Sequence, residues 1–224
     1  MHGTDKDLSQ GTVYAVENDP AAREALEALV QPLGYRFRHY NSAAEFFSNA
    51  PTGRPACLVL DYNLPGVSNP QIAQQHAEMI DPLPVIITAD QTDLPMAVRL
   101  LCQTAVTLLE KPFRAEQLTD AIRQAIEKDA VRCGVRRRFD RISEAVDQLS
   151  SRETQVLQSI VAGQLNKSIA RNLNVSVRTI EGDRARIVDK FGAETTGEVV
   201  GKYAEYRLLA EMGYRSRSPW TGMQ

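Results

Sequence analysis

The stretch Leu149-Ser150-Ser151-Arg152-Glu153, followed by Val156, Leu157, Ile160 and Val161 and closed by Gly163, reads as a short amphipathic helix with both ends marked. Ser150 and Glu153 have the S-x-x-E spacing of a capping box, in which a hydroxyl and a carboxylate each satisfy a free backbone N–H. Asn166 is placed to cap a second helix holding Ile169, Ala170 and Leu173. Asn174 suits the following turn, and Ser176 caps a third helix through Ile180, Ile187 and Phe191. A helix pair joined by a tight turn, the second member carrying basic residues on its surface, has the logic of a helix-turn-helix. In such a unit the second helix enters a DNA major groove, its N-terminal residues at base edges and its flanking Lys and Arg on phosphates.

A chain of 224 residues is too long for that small unit alone, so a second domain of ordinary size is expected upstream. The sequence has neither an apolar run of membrane-spanning length nor a secretory start, which points to a cytoplasmic protein with no membrane partner. Cys57, Cys102 and Cys133 are odd in number and widely spaced, and with His2, His39 and His76 they form no metal-ligand or nucleophile pattern. Reduced core thiols are the expectation. The net charge of −2 hides an asymmetry: residues 1–113 hold 7 basic against 13 acidic residues, and the remainder 19 against 15. Phosphate contact needs a basic surface, although much of this one comes from Arg132, Arg136, Arg137, Arg138 and Arg141, ahead of the helix-turn-helix.

The N-terminal half alternates short apolar runs with amphipathic stretches. Residues 12–16, 36–40, 56–60, 84–88 and 106–109 read as strands, three of them apolar throughout, as strands buried on both faces of a parallel sheet must be. Right-handed crossovers then give a three-layer α/β domain with its site beyond the carboxyl ends of the strands. At those ends stand Glu17-Asn18-Asp19, Asp61, Thr88 and Glu110-Lys111-Pro112. Carboxylates, a hydroxyl and a lysine on one edge can bind Mg²⁺ through oxygen and hold a phosphoryl group on an aspartate.

Two resemblances carry these readings further. Leu149–Glu153, Gly163-x-x-Asn166-Lys167-Ser168-Ile169-Ala170 and Val175-Ser176-Val177-Arg178-Thr179-Ile180-Glu181 resemble the DNA-binding domain of the LuxR/FixJ/NarL type. Val16–Ala21, Leu60–Gly66 and Glu110–Phe113 resemble the receiver domain of two-component response regulators. The implied fold class is a flavodoxin-like three-layer α/β receiver with a parallel five-stranded sheet, followed by an all-α helix-turn-helix domain. The implied boundaries are receiver 11–130, helical linker 131–148, helix-turn-helix 149–212 and a disordered tail 213–224. By resemblance Asp61 is the phosphoacceptor, Thr88 the switch hydroxyl, Lys111 the phosphoryl contact, and Glu17, Asn18, Asp61 and Asn63 (through its carbonyl) the Mg²⁺ site. A sensor histidine kinase, DNA, RNA polymerase and a second copy of the chain are the implied partners, and no enzymatic turnover is expected beyond self-phosphorylation and dephosphorylation.

The departures are informative. Asn18 stands where receivers carry the second of two acids, so Mg²⁺ is expected to bind weakly. Leu108 replaces the usual switch aromatic, and Asn69-Pro70 a usual glycine. On the third helix Asp183 occupies a position that is often His, and the base-reading positions fall to Glu181, Gly182 and Ala185, leaving two acids expected near the DNA backbone. Lys167, Ser176, Arg178, Thr179, Arg184, Arg186 and Lys190 complete the expected DNA-contacting set, with Arg184 and Lys190 on phosphates.

The helical pattern of 114–148 is expected to break at Gly134. Val135, Phe139, Ile142, Val146 and Leu149 beyond it form a seam suited to packing or to dimerisation, and a last helix is expected over about 196–212. Four readings follow: a phosphorylation-gated transcription regulator, a receiver regulated without phosphate by a partner or ligand, a signalling adaptor that has lost DNA binding, and, lacking a nucleotide loop, an α/β phosphotransfer enzyme.

Overall fold

A computed structural model of the chain describes residues 11–49, 53–64, 74–76, 79, 81–90 and 106–215. Asn69, Pro70, Cys102, His2 and the tail from 216 onward lie outside the described residues. The chain divides into two compact units, one ending at Cys133 and the other beginning at Gly134.

In the first unit β1 (Thr12–Val16), α1 (Pro20–Val30), β2 (Arg36–Tyr40), α2 (Ala43–Ser48), β3 (Ala56–Asp61), β4 (Val85–Asp90) and β5 (Val106–Lys111) precede a helix α3 (Ala115–Asp147). The strands pair in parallel in the order β2-β1-β3-β4-β5. The three apolar runs are the central strands, and β1 and β3 are buried along their whole length. On one face Tyr14, Val16, Leu58, Leu60 and Ile87 meet Phe46 of α2; on the other Val13, Val59 and Ile86 meet Leu26 and Val30 of α1 and Leu118, Ile122 and Ile126 of α3. That is the expected three-layer receiver fold.

A buried charge ties α3 to the sheet. Asp129 is fully buried, its carboxylate accepting the Ala56 N–H at 2.8 Å and pairing with Arg54 at 2.7 Å, while the Cys133 thiol lies 3.7 Å away. Cys133 is a free thiol but only partly buried, beside a carboxylate, and so is not the core thiol expected, whereas Cys57 is a buried free thiol. One turn on, the Arg132 guanidinium donates to the Pro82 carbonyl at 2.9 Å.

In the second unit the remainder of α3 packs with α4 (Ser151–Val161), α5 (Asn166–Asn172), α6 (Val177–Lys190) and α7 (Thr196–Glu211). The capping box at Ser150 and Glu153 is present, Gly163 ends α4 in the left-handed region (φ 76°), Asn174 makes the turn at φ 54°, and Ser176 caps α6. Buried Ile142, Leu157, Ile169, Ile180, Ile187 and Val199 form the core. The seam on α3 is spent here: Phe139 and Ile142 are buried, with Phe139 stacked on Tyr206 of α7 at 5.3 Å.

Three expectations need correction. Gly134 does not interrupt α3, which runs unbroken for 33 residues; a helical glycine costs only about 1 kcal/mol relative to alanine, less than the apolar burial on either side of it contributes. Asn166 is the first residue of α5 rather than its cap. Leu165 holds the cap position with no side-chain bond, and the Asn166 side-chain Oδ1 instead accepts from Arg184 Nη1 at 3.0 Å. The tail does not start at 213, because Tyr214 lies against Phe139 at 5.7 Å and the Arg215 carbonyl accepts from buried Arg136 at 2.7 Å.

Replacing Asp129 with alanine leaves Arg54 without its carboxylate and the Ala56 N–H without an acceptor. A loss of about 3 kcal/mol in unfolding free energy is expected, measured by urea denaturation of the full chain.

Candidate functional site

The first candidate site is the carboxyl edge of the sheet. Asp61 is the last residue of β3 and is 7% exposed; Thr88, 3% exposed, is its register partner on β4, and Lys111 ends β5 opposite Asp90. The Lys111 ammonium donates to Asp61 Oδ1 at 3.0 Å, and the Asn63 N–H approaches the same oxygen at 3.4 Å. Glu17, just past β1, is buried and its Oε1 accepts the Asp19 N–H at 3.0 Å. Asp19 is the N-cap of α1, its Oδ1 accepting from Ala21 at 3.0 Å, so its carboxylate is occupied as a cap. Asn18 is exposed between them. Leu108, half-buried on β5, packs on the sheet core beside Ile87.

One residue here was missed in the sequence. β4 continues to Asp90, whose Oδ2 accepts from the Asn63 side-chain amide at 3.1 Å. The strand reading stopped at Thr88 because an exposed acid breaks the apolar run.

The second candidate site is the helix-turn-helix. On α6 the residues Val177, Arg178, Glu181, Ala185, Arg186 and Asp189 are exposed and Ile180, Asp183 and Ile187 are buried, so the expected base-reading positions Glu181 and Ala185 do face outward, with Gly182 partly so. Lys167 and Arg178 are exposed and make no hydrogen bond or ion pair among the described residues. Ser176 and Thr179 are joined hydroxyl to hydroxyl at 2.8 Å within the α6 cap. Asn166, Lys167, Val177, Glu181 and Arg184 line an open groove of about 690 Å³ between the starts of α5 and α6.

Asp183 corrects the expectation of two acids facing DNA: it is fully buried and closed under two arginines. Arg152 grips it with both arms, Nε to Oδ2 at 2.9 Å and Nη2 to Oδ1 at 3.1 Å, and Arg186 Nη2 also donates to Oδ1. Lys190 is likewise not free for phosphate, since its ammonium donates to Glu153 Oε2 at 2.7 Å and to the Gln148 carbonyl at 2.9 Å. Two arginines of the basic stretch before α4 are engaged in the same way, Arg136 on Asp140 and Arg138 on Glu205.

Residues 13–123 match the family described as "Response regulator receiver domain" and residues 147–201 the one described as "Bacterial regulatory proteins, luxR family". The transcriptional regulatory protein FixJ of Bradyrhizobium diazoefficiens is 32% identical over 192 residues, covering 86% of this chain and 94% of that protein. The response regulator protein TodT of Pseudomonas putida is 32% identical over 84% of this chain and 83% of its own length. The chain belongs to the response regulators with a receiver and a LuxR-type domain. Among solved structures, that of the response regulator StyR has 30% identity and a TM-score of 0.80, covering 88% of this chain and all of that one.

Within this family the chain is a DNA-binding transcriptional response regulator, and receiver domains generally bind Mg²⁺. The donors present suit a hard cation in kind, two buried carboxylates from Glu17 and Asp61 with amide oxygens nearby. They fall short in charge, because Asn18 is neutral and Asp19 caps a helix. Among the described residues no group of three or more His, Cys, Asp or Glu is arranged to hold a metal, and no helix is long and apolar enough to cross a membrane.

The Glu153 carboxyl is held far below its ordinary 4.5, at about 2: burial works to raise it, and is overcome by hydrogen bonds from Lys190 and from the Ser150 N–H and hydroxyl. As pH falls below 4.5 the unfolded chain takes up a proton that the folded chain refuses, so this contribution, complete at neutral pH, is lost between about 4.5 and 2. Glu153→Gln is expected to be less stable than the parent at pH 7 and to converge with it across that window, as followed by urea unfolding at a series of pH values.

Proposed function

We propose that Asp61 is phosphorylated by a sensor histidine kinase and that this gates binding of a dimer to DNA through α5 and α6. The observation carrying the reading is the 3.0 Å contact between Lys111 and the buried Asp61 carboxylate, with Thr88 beside it in register. An Asp61 oxygen attacks phosphorus, and the bond to the donor's leaving group breaks. The Lys111 ammonium, already on Asp61 Oδ1, is placed to follow charge onto a phosphoryl oxygen. The Thr88 hydroxyl, one strand across, is the group that would report the change. Mg²⁺, when bound by Glu17, Asp61 and the Asn63 carbonyl, supplies further neutralisation of phosphoryl charge, and Asn18 makes that binding weak.

A second reading, regulation of the receiver by a partner or ligand without phosphate, is favoured by Asn18 and by Leu108, which offers no ring to accompany a movement of Thr88. A small-molecule phosphodonor is expected to label the wild type and not Asp61→Ala. Asn18→Asp is expected to tighten Mg²⁺ binding in a calorimetric titration. Absence of label on the wild type at saturating Mg²⁺ favours the second reading.

At the helix-turn-helix, Glu181, Gly182 and Ala185 face the bases, with Glu181 able to accept from a cytosine amine. Lys167 and Arg178, which have no partner among the described residues, hold phosphates, joined by Arg184, whose one hydrogen bond there is to a neutral amide oxygen. In place of Lys190, it is Lys167→Ala and Arg178→Ala that should each make the salt dependence of DNA binding shallower by about one unit, for all sequences alike. Substituting Glu181 is expected to change the preferred sequence in a selection from random DNA.

A further inference from the structure

The outward face of α6 is poor in positive charge, with Arg178 set against Glu181 and Asp189. On one flank, beside the start of α5, Lys167 has no partner among the described residues. On the other flank stand three cations, Arg152, Arg186 and Lys190, and all are engaged by two buried carboxylates. The Asp183 side chain is 0% exposed while the guanidinium-bearing side chains of Arg152 and Arg186 are 50% and 53% exposed. Arg186 also reaches Glu153 through its Nε at 3.2 Å. The arginines thus form a half-exposed lid over two buried acids.

An arginine fork fits a carboxylate and a phosphate with the same paired geometry. Arg152, whose Nε–Nη2 edge is closed on both oxygens of Asp183, cannot present that edge to a DNA phosphate at the same time. To do so it would leave a buried carboxylate short of its partner, which is strongly unfavourable. Arg184 on the opposite flank has no such obligation, its single bond being to the neutral Asn166 amide oxygen.

We propose that Asp183 acts as an internal substitute for a DNA phosphate, holding Arg152 and Arg186 off the DNA backbone and thereby lowering sequence-independent affinity. This rests on the DNA-binding reading and adds to it a positioning residue that sets specificity: with fewer phosphate contacts on offer, discrimination depends more on the residues facing the bases.

The test uses the full-length protein and duplex DNA of random sequence, with affinity read by fluorescence anisotropy over a series of salt concentrations. Asp183→Asn removes the charge with little change of shape. It is expected to bind several-fold more tightly at low salt, with a slope of log affinity against log salt steeper by about one to two units, even as its thermal stability falls. A merely structural role would lower affinity and stability together. Arg152→Gln is expected to leave the wild-type slope unchanged, but to take back about one unit in the Asp183→Asn background.

The proposal is overturned if Asp183→Asn has the wild-type slope, or if Arg152→Gln alone makes that slope shallower by about one unit. Should Asp183→Asn not fold, as judged by circular dichroism, Arg152→Gln in the wild type decides by itself. Salt-insensitive behaviour of the wild type and every variant would instead remove the DNA-binding reading, and the proposal with it.

Discussion

The constraint on which the first unit depends is that its central strands are buried on both faces. Along β1 and β3, and along β4 as far as Ala89, no position faces water, so a charged side chain is tolerated only where a strand ends. Glu17, Asp61, Asp90 and Lys111 all stand at such ends, and parallel pairing brings all the carboxyl ends to one edge. The acidic site is thus a by-product of the core. What makes it chemical rather than merely polar is that Asp61 and Glu17 remain buried, so Lys111 meets a carboxylate that water screens little.

The second unit solves an opposite problem. A helix of about four turns offered to DNA needs a firm seat, and α6 has one built partly from Ile180 and Ile187 and partly from charge. Asp183 and Glu153 point inward among Arg152, Arg186 and Lys190, a network that holds the flank of α6 to the start of α4. The same ion pairs account for why a nominally basic domain has few cations to offer: charge counted in the sequence is largely charge neutralised in the fold.

Sequence pattern located nearly every element whose cause is local. Strand ranges followed from apolar runs, α4 and α6 from their capping residues, and the turn from Asn174, because a few consecutive residues settle each of those conformations. The errors share a different cause. Gly134 is carried through a helix by packing on either side of it, Asn166 is diverted from capping by Arg184, and Asp183 and Lys190 are decided by partners more than thirty residues away. Asp61, Thr88 and Lys111 were legible because strand ends can be read one at a time and a parallel sheet then assembles them. Asp90 was not, since its partner Asn63 belongs to another loop.

The contact between Arg136 and the Arg215 carbonyl has a practical meaning for the helix-turn-helix as a piece of protein. Arg136 is 6% exposed, pairs with Asp140 and has its guanidinium 5.7 Å from the Phe139 ring centre, while Phe139 in turn lies between Tyr206 and Tyr214. A fragment cut to the motif, from 149 to 212, would discard the central ring and one wall of this aromatic stack, Phe139 and Tyr214, along with Arg136 and Arg215. The smallest autonomous unit is set by where side chains stop needing one another, and among the described residues it reaches at least from Gly134 to Arg215, beyond both ends of the helix-turn-helix motif.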